Sequence, residues 1–220
     1  MDNKQIEGMP ESAKLDLGQI VTDWAAQGIT LSQEMVLGLG AGLYFEYISQ
    51  PGRSPSRFFS GHNRRLERDL EQRLQDWRDG DKRGAITGAL RANALAMDLD
   101  RSHYTAIMGM ELLAEDFETW ERAADAQACA LHAAEEIDRT ESLYRRPYVR
   151  FLQQATAWQS DAAELVPVLA DVASEWDVLG QILRGVANGD HDRSFAHASL
   201  VIRRIAMLEE HFWGEVINRT

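Results

Sequence analysis

The sequence predicts an α+β fold that is predominantly helical, with a few short strands in its first half and an antiparallel helical bundle in its second. From Asp116 to the end, apolar residues recur at helical spacing. The segment 43–48 is aromatic and β-branched, which is typical of a strand. The segments 95–99 and 104–108 flank a polar turn and predict a β-hairpin.

The first half begins with an amphipathic helix that ends at Gly28, and a short helix from Leu31 follows. A glycine-rich segment, 38–42, joins the short helix to the predicted strand. The segment 50–55 contains two prolines and predicts a surface loop. Asn63 caps the next predicted helix, whose apolar face comprises Leu66, Leu70, Leu74 and Trp77.

The second half predicts three or four long helices with short connections, which favours a bundle. We expect these helices to start near Asp116, Pro147, Pro167 and Asp192. The predicted division of the chain is therefore an N-terminal region, 1–114, and a helical C-terminal region, 115–220.

The formal net charge is −12, which argues against a nucleic-acid partner because binding a polyanion requires a basic face. Basic residues nevertheless cluster in the segment 53–68 and at Arg145, Arg146 and Arg150. These clusters predict surfaces that face an acidic partner or ligand.

No apolar run approaches the ~20 residues that span a bilayer, and residues 1–14 are polar and acidic rather than a signal peptide. We expect a cytoplasmic protein without a membrane partner. Cys129 is the single cysteine, and its small neighbours predict a close helix contact rather than a nucleophile.

The segment 28–42, Gly-Ile-Thr-Leu-Ser-Gln-Glu-Met-Val-Leu-Gly-Leu-Gly-Ala-Gly, resembles the hallmark of the butirosin biosynthesis protein H family. The segment 57–63, Arg-Phe-Phe-Ser-Gly-His-Asn, fits the same pattern. The resemblance implies a papain-like N-terminal half that transfers an acyl group from a carrier protein through a cysteine and a His-Tyr histidine. The pair His103-Tyr104 matches that histidine, but the segment 14–17 has no cysteine where the family has one. The resemblance therefore implies a degenerate member with a reduced papain-like half and no acyl-enzyme chemistry.

The resemblance places Asp98, Asp100 and His103 near the former active site, where a carboxylate can raise the basicity of an imidazole. These three residues are the candidate catalytic group. The alternative is that they form a polar hairpin turn.

A second candidate site lies where a loop enters a predicted helix, a position suited to an anion because free N–H groups and the helix dipole favour negative charge. Its candidate substrate-binding residues are Ser60, His62, Asn63, Arg64 and Arg65. The alternative is an ordinary Asn63 cap with solvated arginines.

The glycine-rich segment gives the remaining substrate-binding candidates, Gly40 with the flanking Glu34 and Tyr44. Its glycines either let the backbone approach a ligand or permit tight turns beneath the aromatic segment. They do not match phosphate-loop or dinucleotide patterns.

We expect no metal and no cofactor. The run Asp190-His191-Asp192 predicts a turn and a helix cap, since adjacent residues rarely converge on one ion. The paired Glu-x-x-His motifs of a di-iron bundle are absent from the sequence.

The resemblance, together with the missing cysteine, implies a component of bacterial antibiotic biosynthesis that acts on an anionic substrate tethered to an acyl- or amino-group carrier protein. It would work as one subunit of a hetero-oligomeric enzyme. One alternative is a subunit that closes an aziridine or azabicycle ring with loss of an anionic group such as sulfate. Others are a non-catalytic binding or scaffold partner and a stand-alone acyltransferase that uses Ser12.

Overall fold

The computed structural model describes residues 17–41, 43, 45–47, 58–60, 70–99 and 106–220. This part of the chain is about 79% helical. The helices are α1 (Leu17–Ala26), α2 (Gln33–Val36), α3 (Leu70–Arg78), α4 (Lys82–Leu99), α5 (Ala106–Trp120), α6 (Ala126–Arg139), α7 (Arg145–Ala155), α8 (Ala162–Ala187) and α9 (Phe195–Arg219). A π-helical turn spans Leu37–Ala41, and two short strands are β1 (Phe45–Tyr47) and β2 (Phe58–Ser60).

The prediction of an α+β fold with a reduced papain-like half is wrong. Strands β1 and β2 pair antiparallel, with Phe45 opposite Ser60 and Tyr47 opposite Phe58, and form a ribbon of two three-residue strands. A two-stranded ribbon is too small to build a sheet core. In the described residues the core is instead formed by packed helices.

The predicted hairpin is also wrong, because residues 95–99 belong to α4 and residues 106–108 to α5. Along α4 the buried apolar residues recur every three or four positions, as in Ile86, Leu90, Ala94 and Met97. Leu95 lies between two of them and is 38% exposed. This spacing is that of a helix, and over the length of α4 it is stronger evidence than the apolar residues of the five-residue segment 95–99, from which a strand was predicted.

Helices α8 and α9 lie at the centre of the fold. Helix α9 packs against α4, α5 and α8, and α8 also packs against α6 and α7. Their fully buried aromatic residues include Trp176 and Trp213. The C-terminal region is helical as predicted, but two predicted helix starts are wrong, because Asp116 lies inside α5 and Pro167 inside α8. The predicted boundary between residues 114 and 115 also falls within α5.

The glycine-rich segment 38–42 was predicted to be a connection, but residues 38–41 belong to the π-helical turn, and close packing explains the glycine at position 38. A Cβ at Gly38 would overlap the ring of Phe151, so the backbone and the ring can be this close only because residue 38 is glycine. The Leu39 carbonyl accepts a hydrogen bond from Arg73 Nε at 2.8 Å, and the Leu43 N–H donates to Asn93 Oδ1 at 3.0 Å. These side chains satisfy buried backbone groups of the irregular segment.

Within the described ranges, no helix combines the length and apolarity needed to cross a membrane.

Candidate functional site

A cleft of about 100 Å³ lies between α2 and the junction of α6 with α7. We call it the Arg–Glu cleft. Its lining residues are Gln33, Glu34, Arg139, Thr140, Glu141, Tyr144, Pro147 and Arg150. Ser32 begins the α2 wall as its N-cap and holds it to α7, because its Oγ accepts from Met35 N at 3.1 Å and donates to Gln154 Oε1 at 2.8 Å.

One wall of the cleft has an unusual backbone. Glu141, Ser142, Leu143 and Tyr144 have φ angles of 50°, 61°, 51° and 66°, which is a left-handed turn of four consecutive residues, none of them glycine. Left-handed residues other than glycine cost roughly 1–2 kcal/mol each, and such strain clusters at functional sites. We call residues 141–144 the left-handed turn.

The left-handed turn is held by contacts on both sides. The Leu143 N–H donates to Thr140 Oγ1 at 3.1 Å, and the fully buried Leu143 side chain packs in the core. The Ser142 hydroxyl donates to Asp177 in α8. Arg145 Nη1 donates to the Leu143 carbonyl at 2.8 Å. These contacts offset the backbone strain and fix the turn in one conformation.

The cleft contains both signs of charge. Arg150 donates from Nη1 and Nη2 to the Glu141 carboxylate at 2.8 and 3.1 Å, and from Nε to Glu34 at 3.2 Å. Arg139 donates to Glu136 at 2.6 Å through Nη2. The Arg139 and Arg150 side chains are 53% and 41% exposed, so both guanidinium groups are accessible from solvent.

The basic cluster predicted at Arg145, Arg146 and Arg150 does not form an open basic surface, because each arginine has a carboxylate partner within the chain. Arg145 is fully buried and donates from Nε to Glu209 at 2.6 Å. Arg146 pairs with Asp177, and Arg150 lines the cleft. Of the three, only Arg150 is placed to meet a ligand in the cleft.

The pKa values of the cleft residues follow from these contacts. Burial by itself raises the pKa of the Glu34 carboxyl. Hydrogen bonds from its backbone N–H and from Arg150 lower the pKa by more, so the net pKa is below its ordinary value of 4.5. Hydrogen bonding to Glu141 raises the pKa of Arg150. Burial raises the pKa of Tyr144, and its phenol therefore stays protonated at neutral pH.

The described lining of the cleft supplies charged groups and hydrogen-bonding groups for a ligand. Among these described residues there is no cysteine, histidine, serine or lysine. The Thr140 hydroxyl donates to the Glu136 carbonyl at 2.6 Å, and the lowered pKa makes Glu34 a weak base. Cys129 lies outside the cleft, and burial together with Asp125 raises the pKa of its thiol, which opposes thiolate formation.

A family model described as domain of unknown function DUF4872 matches residues 60–216, more than half of the 220 residues. The chain belongs to the DUF4872 family. Neither a curated protein nor a solved structure matches it. The DUF4872 match includes the α6–α7 wall of the Arg–Glu cleft, whereas Gln33 and Glu34 lie outside the matched residues.

In this DUF4872 chain, the structure describes only some of the residues predicted to form the functional site. Glu34 lies in the cleft, while Gly40 is buried in the π-helical turn. The backbone of Asp98 is in the last turn of α4, and that of Ser60 ends β2. The other predicted positions lie outside the described residues: Tyr44, His62, Asn63, Arg64, Arg65, Asp100 and His103. Their roles stay predictions.

Sequence reasoning missed Arg139, Glu141 and Tyr144. Charged residues such as Arg139 and Glu141 are common near the end of a helix, so the sequence does not mark them as site residues. The left-handed turn brings them to one side of the cleft. Pro147 was the available signal, because it marks the first turn of α7 and therefore a chain reversal just before it.

Proposed function

We propose that the chain is a binding component of bacterial natural-product biosynthesis that holds the charged end of a carrier-tethered substrate in the Arg–Glu cleft. The observation that carries this proposal is the left-handed turn, which fixes Glu141 and Tyr144 beside Arg150 in a cleft that contains both signs of charge. Backbone strain supported on both sides is typical of sites that must be held in one geometry.

The size of the cleft favours the end of a longer molecule. Pockets for drug-sized ligands occupy ~300–1,000 Å³. A cleft of about 100 Å³ suits a small polar group, such as the aminoacyl or carboxyacyl end of a chain whose remainder lies outside. A substrate on a carrier tether has this shape.

The charges favour a carboxylate, a sulfate or an amino acid as that end group. An incoming anion can take the place of Glu141 on the Arg150 guanidinium, which offers two parallel donors. The displaced Glu141, which is 52% exposed, can then face solvent or an ammonium group of the ligand. Tyr144 supplies a protonated phenol as a further donor.

The link with biosynthesis rests on the sequence resemblance in the segment 28–42, which also supplies Gln33 and Glu34 to the cleft. The proposal does not require a papain-like fold. A hetero-oligomeric enzyme is the setting that we propose. The second subunit would supply the reactive group, since the described lining residues include no cysteine, serine or histidine.

The test is calorimetric titration with aminoacyl and carboxyacyl thioesters of N-acetylcysteamine, which mimic the end of a carrier tether. We expect saturable binding of at least one charged thioester. Arg150→Gln should weaken that binding by about tenfold, equivalent to ~1.4 kcal/mol. Absence of binding by every charged thioester would overturn the proposal.

Arg184→Gln is the matched control. Arg184 is 40% exposed and pairs with one carboxylate, Asp138, but it does not line the cleft. We expect it to bind the thioesters as tightly as the wild type does. Equal weakening by the Arg150 and Arg184 substitutions would assign the effect to net charge rather than to the cleft and would also count against the proposal.

A further inference from the structure

Helix α9 has one face that no other described helix covers. Leu200 and Met207 are 67% and 70% exposed, the highest values among the large hydrophobic residues of the described chain. They lie seven residues apart and Gly214 follows after another seven, so the three positions share one stripe of the helix. Ile217, one turn further, is 37% exposed.

This stripe has a protrusion at one end and a recess at the other. Leu200 projects near the N-terminal end of α9. At Gly214 a Cβ would meet nothing within 4 Å. A shallow, open depression of about 370 Å³ surrounds Gly214 on the surface of α9 and is lined by Met207, Glu210, His211, Gly214, Glu215 and Asn218. A leucine side chain from another molecule can therefore fill the recess.

The charges along the stripe are divided in the same way. Arg203 and Arg204 are exposed in the first half of the stripe, and Glu210 is exposed in the second half. Arg204 is 68% exposed and has a contact with Glu175 at 3.2 Å. The stripe is thus basic at the end that carries the protrusion and acidic at the end that carries the recess.

We propose that this face of α9 binds a second copy of the chain in an antiparallel, two-fold arrangement centred on Met207. In that register Met207 contacts its own copy, and Leu200 of each molecule enters the recess at Gly214 of the other. The same register brings Arg203 of each molecule to Glu210 of the other, because both residues lie on the same side of the contact stripe. A two-fold interface requires a self-complementary surface, and this stripe complements itself in both shape and charge.

The proposed dimer is of moderate affinity, since one pair of helices buries less than the ~800 Å² per partner of a standard interface. We expect sedimentation equilibrium of the wild-type protein to show a monomer–dimer equilibrium with a dissociation constant on the order of micromolar. Met207→Asp and Gly214→Leu should each raise that constant by at least about tenfold, because one buries a charge at the two-fold axis and the other fills the recess.

Two controls separate the interface from the fold. Gly214→Leu leaves the monomer intact, since its side chain enters open space, and the far-UV circular dichroism of this variant should equal that of the wild type. Leu131→Asp changes a residue on α6 that is 41% exposed and lies off the stripe, and it should leave the dimer unchanged.

Charge exchange provides the decisive comparison. Glu210→Arg and Arg203→Glu should each weaken the dimer, and the double variant should restore it, because both pairs across the two-fold axis are then opposite in sign again. A wild-type monomer at every concentration up to about a hundred times the expected micromolar constant would overturn the proposal. The proposal would also be overturned if Met207→Asp left the dissociation constant of the dimer unchanged, or if this face of α9 bound only a different protein.

Discussion

Replacing Glu209 with glutamine tests how the left-handed turn is anchored to the core. Glu209 and Arg145 are both fully buried, and they join α9 to the start of α7. Glu209 Oε1 accepts from Arg145 Nε at 2.6 Å and from Trp176 Nε1 at 3.4 Å, and Oε2 accepts from Trp213 Nε1 at 2.9 Å. Arg145 in turn donates to the carbonyl of Leu143 in the turn.

The expected loss follows from these contacts. Glutamine keeps one acceptor oxygen but places an amide NH₂ where the other oxygen stood, so one of the three donors faces another donor. The charge-assisted bond to Arg145 is worth ~1.5–3 kcal/mol, and a buried donor left unsatisfied costs ~1–3 kcal/mol. We therefore expect Glu209→Gln to lower the free energy of unfolding by about 3–5 kcal/mol, the range for breaking a buried ion pair. A typical domain has only ~5–15 kcal/mol of stability in total.

The assay is urea unfolding followed by far-UV circular dichroism, with the slope against urea checked for each variant so that a change in midpoint reports stability. Asp138→Asn is the control, because it removes the carboxylate of an exposed ion pair with Arg184. Such pairs contribute less than about 1 kcal/mol.

The double variant Arg145→Met with Glu209→Gln separates the buried charge from the hydrogen bonds. No uncompensated ion remains, and the glutamine oxygen still accepts a hydrogen bond from a buried indole N–H, so this variant should be more stable than Glu209→Gln alone. The reasoning is refuted if Glu209→Gln costs no more than Asp138→Asn, or if the double variant is the less stable of the two.

Two further predictions concern the walls of the cleft and the segment beneath it. Gly38→Ala should lower stability by about 1–3 kcal/mol in urea unfolding, because its methyl group overlaps the buried ring of Phe151, whereas Gly88→Ala, in open space on α4, should be neutral or stabilising by up to about 1 kcal/mol. The Glu34 pKa lies below 4.5, so its ion pair contributes stability above that pH and loses it as the pH falls through the folded value. Glu34→Gln should therefore be less stable than the wild type at pH ~7 by at most about 1 kcal/mol. This difference should shrink as the pH falls below 4.5, as measured by urea unfolding at a series of pH values. A Gly38→Ala protein as stable as the wild type, or a Glu34→Gln difference that persists in acid, would contradict these predictions.

Helical periodicity predicted the C-terminal half well and the N-terminal half poorly, for a physical reason. In α8 and α9 the buried residues recur over more than twenty positions, so the pattern is unambiguous. Residues 95–99 form the last turn of α4, and five residues that include Leu95, Ala96 and Met97 do not distinguish a strand from a helix. The deciding information was that Met97 continues the buried stripe of Ile86 and Leu90. Those two residues lie outside the window 95–99, from which the strand was predicted.

The site was less predictable than the fold because two of its features depend on tertiary contacts. These features are the different positions of Arg145 and Arg150 and the conformation of the left-handed turn. Nothing local distinguishes Arg145, fully buried against Glu209, from Arg150, which is 41% exposed in the cleft, although both belong to one basic cluster in the sequence. Their positions differ because Arg145 faces α8 and α9 at the start of α7, whereas Arg150 faces α2 on the opposite side. The left-handed turn is equally invisible in the sequence, since glycine, the usual signal of positive φ, is absent from all four positions. The backbone there is determined by Thr140 and Asp177 on either side, and residues held by their surroundings against their own preference are where a function is best sought.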